Sequence, residues 1–179
     1  MKRGEKVLVP LLGIKDGTHN FEFDINNKFF EYFSHPDLKG GTFRIDLTLK
    51  KSSSVSSITY TFKGLAHVPC DICLDEFDLP VEGKETVYIK ADDDFSDEIS
   101  DEVIYLAESD SEVDLSQHIY ESICIRLPFR KVHPDQSNGE PGCDKDMLDR
   151  LSNSQQSEDS NQETDPRWDN LKKFLEDNN

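Results

Sequence analysis

Residues 64–80, GLAHVPCDICLDEFDLP, join two strand-like runs through a Cys-x-x-Cys turn. The turn contains Cys70 and Cys73, separated by two residues. Such a turn directs two sulfur atoms the same way, so it suits half of a tetrahedral zinc site or dithiol redox chemistry. Because a structural zinc site takes four ligands, the pair predicts a metal only together with two further groups. The sequence before the turn predicts sheet, and the sequence after it predicts charged segments, a short helix and a tail.

Alternation of apolar and polar residues predicts a β-hairpin before the turn. Residues 43–49 and 58–62 alternate with a period of two, so each strand would bury one face and wet the other. Gly64 then interrupts the second pattern, which indicates a bulge. After the turn, residues 77–81 and 86–90 predict two further strands. Because successive strands with short connections favour antiparallel pairing, we predict an α+β fold with a mostly antiparallel β-sheet or open barrel and two or three short helices.

An acidic segment and a helix follow these strands. Residues 92–114 contain eleven acidic side chains and no Lys or Arg, and a strand is expected near 103–106. Asp114 is a good helix cap, with Gln117 as its capping-box partner. An extended segment or strand at 124–128 would close the domain. The apolar stripe that predicts the helix is formed by Leu115, Ile119, Tyr120 and Ile123.

Composition predicts three regions along the chain. Residues 1–133 would form one α+β domain, because a hydrophobic content of 35% and a mean hydropathy of −0.67 are low for 179 residues packed from end to end. Residues 134–164 are rich in Pro, Gly, Ser, Asn, Gln and acids, which indicates a flexible, disordered linker. Residues 165–179 begin with Asp-Pro and predict an amphipathic helix, which is too short to be stable unless it docks.

The charge is strongly asymmetric. The chain carries 20 Lys and Arg against 37 Asp and Glu, a net charge of −17, and residues 65–179 alone carry −20. This balance argues against general affinity for a phosphate backbone, because such affinity comes from Lys and Arg that release counterions. A basic partner protein is the more natural target of the acidic half. An equally weighted alternative is that the negative charge has no partner and only keeps the protein surface soluble. With no run near the roughly 20 apolar residues of a membrane span, we expect a soluble, cytoplasmic protein whose cysteines are thiols or metal ligands.

Several motifs in a fixed order resemble the YceD family, the large ribosomal RNA subunit accumulation proteins. The pieces are Gly64-x5-Cys70-Asp71-x-Cys73-Leu74, Asp114-Leu115, Ile119-Tyr120-Glu121, Leu127-Pro128 and Asp165-Pro166-Arg167-Trp168-x-x-Leu171. The resemblance implies a role in the synthesis, processing or stability of the 23S rRNA of bacterial ribosomes, and it brings no catalytic residues. Some relatives carry a second Cys-x-x-Cys pair after the Leu-Pro segment, which would complete a four-thiolate zinc site. Here that region contains only Cys143.

The candidate metal ligands are therefore Cys70, Cys73 and Cys143, which would bind Zn²⁺ with one more group. The candidates for that fourth ligand are His133, Asp146 and His67. Structural thiols without a metal are the first alternative. Redox chemistry is the second, and it would need a thiolate stabilised by a feature such as a helix amino terminus, which the sequence does not predict at this turn. Cys124 lies between two isoleucines and is expected to be a buried apolar residue.

Two further sets of residues are candidate contacts to a partner or to RNA. The basic set, with Phe129 interleaved, could touch RNA or could be a solvated rim, and it consists of Arg126, Arg130 and Lys131. The apolar set of the terminal helix could dock on a ribosomal protein or pack on the chain's own sheet, and it consists of Trp168, Leu171 and Leu175.

No enzyme motif is present in the sequence. It has no Gly-x-Ser-x-Gly, no Walker A loop and no His-Glu-x-x-His, and its five histidines are dispersed. Together with the resemblance, this predicts a non-catalytic factor for 23S rRNA and large-subunit assembly. It would bind a basic ribosomal protein or pre-ribosomal particle, with some local rRNA contact, and would have no small-molecule substrate and no membrane partner. The alternative is a small zinc-binding or thiol-dependent module without a ribosomal role.

Overall fold

The structure is a computed structural model that describes residues 2–3, 6–33, 37–53, 55–91, 103–106, 110–137 and 139–159. The elements in chain order are β1 (Lys2–Arg3), β2 (Leu8–Pro10), β3 (Gly17–Ile25), α1 (Asn27–Phe30), β4 (Gly40–Lys51), β5 (Val55–Pro69), β6 (Glu76–Ala91), β7 (Val103–Leu106), β8 (Glu112–Asp114), α2 (Ser116–Ile125) and α3 (Lys145–Asp159). None of the helices in the described ranges is both long and apolar enough to cross a membrane.

A six-stranded open sheet forms the body, in the order β1-β3-β4-β5-β6-β7. The three long pairings, β3 with β4, β4 with β5 and β5 with β6, are antiparallel, whereas β1 and β7 pair in parallel at the two edges. Strands β2 and β8 form a separate antiparallel pair. The predicted α+β fold with a mostly antiparallel sheet is confirmed, and so is the strand at 103–106.

The predicted hairpin is strands β4 and β5, and its pairing shows why Gly64 is a glycine. Gly64 pairs one-for-one with Phe43 on one side and with Val81 on the other, so the expected bulge is wrong. A Cβ atom at position 64 would lie 2.0 Å from the carbonyl oxygen of Thr42 and 2.7 Å from the Cα of Phe43. Glycine therefore permits a close approach of two backbones inside a regular ladder.

The two strands predicted after the turn are a single strand. Strand β6 pairs with β5 without interruption, and Gly83 continues the ladder opposite Phe62. A Cβ atom at position 83 would lie 2.2 Å from the Nε of Arg126 and 2.6 Å from the ring of Phe62. Gly83 therefore makes room for an arginine from another part of the chain.

The core lies on one face of the sheet, under α1 and α2. Fully buried Leu115, Ile119 and Ile123 place the predicted apolar stripe of α2 against it. Beside them the Tyr120 ring stacks on Phe33, with ring centroids 4.0 Å apart and planes 9° apart. Fully burying an apolar side chain of this size stabilises a fold by about 1.5–3 kcal/mol, so the stripe is sufficient to dock a helix of ten residues.

The ends of α2 differ in part from the prediction. The Asp114 carboxylate accepts a hydrogen bond of 2.9 Å from the backbone N–H of Ser116, the first helical residue, although the N-cap position itself is Leu115. Gln117 donates its side-chain amide to Glu121 instead of completing a capping box. The expected strand or extended segment at 124–128 is wrong at its start, because the helix continues to Ile125 and the next two N–H groups still bond to carbonyls of its last turn.

A hydrogen bond between two buried side chains links α2 to β5 and provides a stability test. The Tyr60 hydroxyl lies 2.9 Å from the Ser122 hydroxyl. We expect Tyr60→Phe to lower the free energy of unfolding by about 1–2 kcal/mol, because a buried hydroxyl loses its partner. Urea denaturation measures the change. Tyr88→Phe at an exposed position is the control, and an equal effect of the two substitutions would contradict this account.

Helix α3 lies inside the segment for which composition predicted a flexible linker. The Asp144 carboxylate caps it, accepting hydrogen bonds of 2.7 Å from the Asp146 N–H and 3.3 Å from the Met147 N–H. The predicted terminal helix at 165–179, with Trp168, Leu171 and Leu175, lies outside the described residues. The division into domain, linker and terminal helix stays a prediction.

Candidate metal centre

The Cys-x-x-Cys turn is a tight loop between β5 and β6. The Cys70 carbonyl accepts from the Leu74 N–H at 3.0 Å, and the Cys70 N–H donates to the Asp75 carbonyl at 2.9 Å. Leu74 occupies the left-handed region with φ 65°, which turns the chain sharply. Both sulfur-bearing side chains are buried, and the Ile72 N–H lies 3.4 Å from the Cys70 Sγ. An N–H directed at sulfur favours the thiolate, which is the metal-binding form.

Asp71, between the two cysteines, fixes a distant part of the chain to this turn. The Asp71 N–H donates to the Lys131 carbonyl at 2.7 Å, and the Lys131 N–H donates back to the Asp71 carboxylate at 2.6 Å. The Lys131 ammonium, only 8% exposed, lies 3.3 Å from Asp71 and 3.7 Å from Asp37. The backbone hydrogen bond from Lys131 is the main cause that holds the pKa of Asp71 below its usual value. No pattern in the sequence indicates this contact between residues 60 positions apart.

A loop after Lys131 brings a third cysteine to a histidine. The Cys143 Sγ lies 3.9 Å from the His133 Nδ1. The loop between them is closed by the Gln136 N–H, which donates to the Glu140 carbonyl at 2.8 Å. Gly142 is needed at its end, because a Cβ atom there would lie 2.2 Å from the Pro134 carbonyl oxygen.

These residues make up a group that could hold a metal ion. The ligand atoms of the group lie within 4.8 Å of one another, and its members are Cys70, Cys73, His133 and Cys143. Three sulfurs and one imidazole nitrogen are a donor set typical of tetrahedral zinc. All three predicted cysteine ligands belong to the group, and of the three candidates for the fourth position it contains His133. If all four residues held a metal ion, no coordination position would be open for a substrate, as in structural rather than catalytic zinc sites.

The other candidates are placed differently. Each ring nitrogen of His67 faces a carboxylate, 3.0 Å from Asp78 and 2.8 Å from Glu76. Asp146 is exposed at the start of α3. Cys124 is outside the group, and burial raises the pKa of its thiol.

His67 and its two carboxylates predict a pH-dependent contribution to stability. The hydrogen bond to Asp78, and after it the bond to Glu76, raises the pKa of His67 above its usual value, although partial burial acts in the opposite direction. A raised folded-state pKa stabilises the fold below the unfolded pKa of about 6.5, and the contribution disappears as pH rises through the folded value. We expect His67→Gln to reduce the free energy of unfolding more at about pH 6 than at about pH 9. Urea denaturation at both pH values tests this, and Glu76→Gln should reproduce part of the effect. An equal loss at the two pH values would refute it.

The predicted basic contacts prove to have unequal surroundings. Arg126 donates to Glu85 at 2.6 Å and lies over the Phe62 ring, 5.4 Å from its centroid. Lys131 is buried in the ion pairs described above, whereas Arg130 is exposed. Whether these residues contact a partner stays a prediction.

Comparison with known families identifies the chain. The model of the YceD family, described as large ribosomal RNA subunit accumulation protein YceD, matches residues 58–175. The chain belongs to the YceD family. The match begins in β5 and includes the Cys70–Cys73 turn, α2 and all four residues of the metal-binding group. Comparisons with curated proteins and with solved structures found no match.

Proposed function

We propose that this YceD protein is a non-catalytic, cytoplasmic factor that supports the synthesis, processing or stability of 23S rRNA. The family match over residues 58–175 is the observation that carries the proposal. The family description names the accumulation of an RNA and no chemical reaction, which favours binding over catalysis. The net charge of −17 favours a basic ribosomal protein, or a pre-ribosomal particle that displays one, as the direct partner.

Zn²⁺ is the metal proposed for the Cys70, Cys73, His133 and Cys143 group. The donor set supports it, because thiolates and imidazole suit zinc, whereas calcium and magnesium take oxygen ligands. When bound, the ion supplies folding free energy. The chain supplies the ligands and an N–H group directed at the Cys70 sulfur. It also supplies the hydrogen bond between Asp71 and Lys131, which fixes the backbone two residues before His133.

Depletion of the protein from growing cells tests the proposed function. The level of 23S rRNA relative to 16S rRNA should fall severalfold and should recover when the wild-type gene is restored. In a pulldown, the protein partners should remain after nuclease treatment. An unchanged 23S rRNA level would refute the proposal, and together with bound zinc it would favour a zinc module without a ribosomal role. Loss of every partner after nuclease treatment would favour direct RNA binding.

A further inference from the structure

A small hollow lies between α2 and β6. Its lining includes Glu85, Val87, His118, Glu121, Ser122 and Ile125. Its volume of about 260 Å³ is below the roughly 300–1,000 Å³ of pockets that hold drug-sized ligands. The hollow therefore has the size for one side chain of a partner rather than for a small molecule.

The chemistry of the lining selects a cationic side chain. The Glu121 carboxylate accepts a hydrogen bond of 2.9 Å from the Gln117 amide, and within the described residues it forms no ion pair. The other carboxylate, Glu85, is already bound by Arg126. Ile125 is 80% exposed one helical turn after Glu121, so it provides an apolar wall beside the unneutralised charge. A lysine or arginine fits this combination, with its aliphatic stem on Ile125 and its charged head on Glu121.

An exposed aromatic residue lies shortly after the end of α2. Phe129 is fully exposed, four residues after Ile125. The backbone around it is held at both ends, because Arg126 is anchored to Glu85 and Lys131 is anchored to Asp71. A large ring presented in this way is typical of interface anchor residues, whose burial supplies most of the binding energy.

We propose that the hollow with Ile125 and Phe129 is the surface on which a basic ribosomal protein docks, and that a lysine or arginine of that protein enters the hollow. This inference rests on the proposed function and assigns it a place on the molecule. Because Glu85 is paired with Arg126, the Glu121 carboxylate is the charge that would repel an RNA phosphate, and it selects a basic protein. The apolar centre with a charged rim matches the usual anatomy of a protein interface.

Site-specific photo-crosslinking tests the surface. The photoreactive residue p-benzoylphenylalanine replaces Ile125 or Phe129, with the exposed Leu12 as the control position. Irradiation of cells should give, from positions 125 and 129 but not from 12, an adduct to a basic large-subunit protein that nuclease leaves intact. Glu121→Gln should lower the adduct yield from position 129 about tenfold, because a charge-assisted contact is lost. Glu112→Gln, at an exposed carboxylate that does not line the hollow, should change it less than twofold.

Each other outcome overturns the proposal. An adduct to RNA would replace the protein partner with RNA. Equal yields from position 12, or equal effects of the two glutamine substitutions, would show nonspecific attraction to an acidic chain. If depletion lowers 23S rRNA and an Ile125→Ala, Glu121→Gln variant restores it fully, the surface fails while the proposed function stands. If depletion leaves 23S rRNA unchanged, the proposed function fails regardless of the crosslinks.

Discussion

Replacing Cys70 with serine is expected to abolish zinc binding and to destabilise the protein by several kcal/mol. Structural zinc sites bind their ion with about 10–16 kcal/mol at pH 7, and that free energy is available to folding because the unfolded chain has no preformed site. Loss of one of the four ligands removes much of this binding free energy. Elemental analysis of freshly purified protein should find one zinc per wild-type chain and almost none in Cys70→Ser, and thermal denaturation should show a lower Tm.

The zinc content of matched variants distinguishes the proposed ligands from residues that do not bind the metal. Cys143→Ser and His133→Ala should also lose the metal, whereas Cys124→Ser and His118→Ala should retain it, because neither residue belongs to the group. The comparison also isolates metal loss from the ordinary effect of changing a buried thiol. Wild-type protein without zinc, or a requirement for Cys124, would rule out the proposed ligand set and leave the buried cysteines as metal-free structural thiols.

Gly64→Ala should lower the free energy of unfolding by about 3 kcal/mol. The added methyl group would lie 2.0 Å from the Thr42 carbonyl oxygen and 2.7 Å from the Phe43 Cα, and both atoms belong to the backbone of the neighbouring strand. Neither can move without opening the ladder between β4 and β5, so the strain falls at the upper end of the range for overpacked sites. Urea denaturation of the purified variant measures the change.

Lys63→Ala is the control for that experiment. Lys63 is the preceding residue, and its side chain is 82% exposed in an ion pair with Glu82, so its loss should change stability by less than about 0.5 kcal/mol. A Gly64→Ala variant as stable as the control would show that the two strands can separate at this point without loss of packing. The requirement for glycine would then have to come from function.

Local patterns predicted the sheet because each strand carries its own alternation. The period of two in residues 43–49 and 58–62 requires only that one face be buried. The errors arose where the environment of a residue comes from elsewhere in the chain. Residues 77–81 and 86–90 were predicted as two strands, but they are one strand, and the arginine that occupies the space at Gly83 between them comes from 43 positions away. Helix α3 was not among the predicted elements, because its composition is typical of a linker, although Asp144 in front of it is a residue type that favours helix caps.

The candidate site was predictable to the same degree. The spacing of Cys70 and Cys73 directly indicated two ligands, and the lone Cys143 indicated a third. The sequence left His133, Asp146 and His67 as equal candidates for the fourth ligand, and only the folded structure shows that His133 belongs to the group that could hold a metal ion. From the sequence, Lys131 was also expected to be an exposed basic residue. Its burial against Asp71 and Asp37 depends on contacts over long sequence separations, which charge patterning does not reveal.

If zinc binds as proposed, the division of its ligands between residues 70–73 and residues 133–143 has a consequence for biosynthesis. During translation the first two thiolates leave the ribosomal exit tunnel dozens of residues before the last one. Throughout that interval an incomplete pair of sulfurs is open to oxidants and to competing metals such as copper, which binds such ligands more tightly than zinc does. Correct binding of the proposed zinc would therefore depend on the order in which the ligands leave the tunnel as well as on the final geometry.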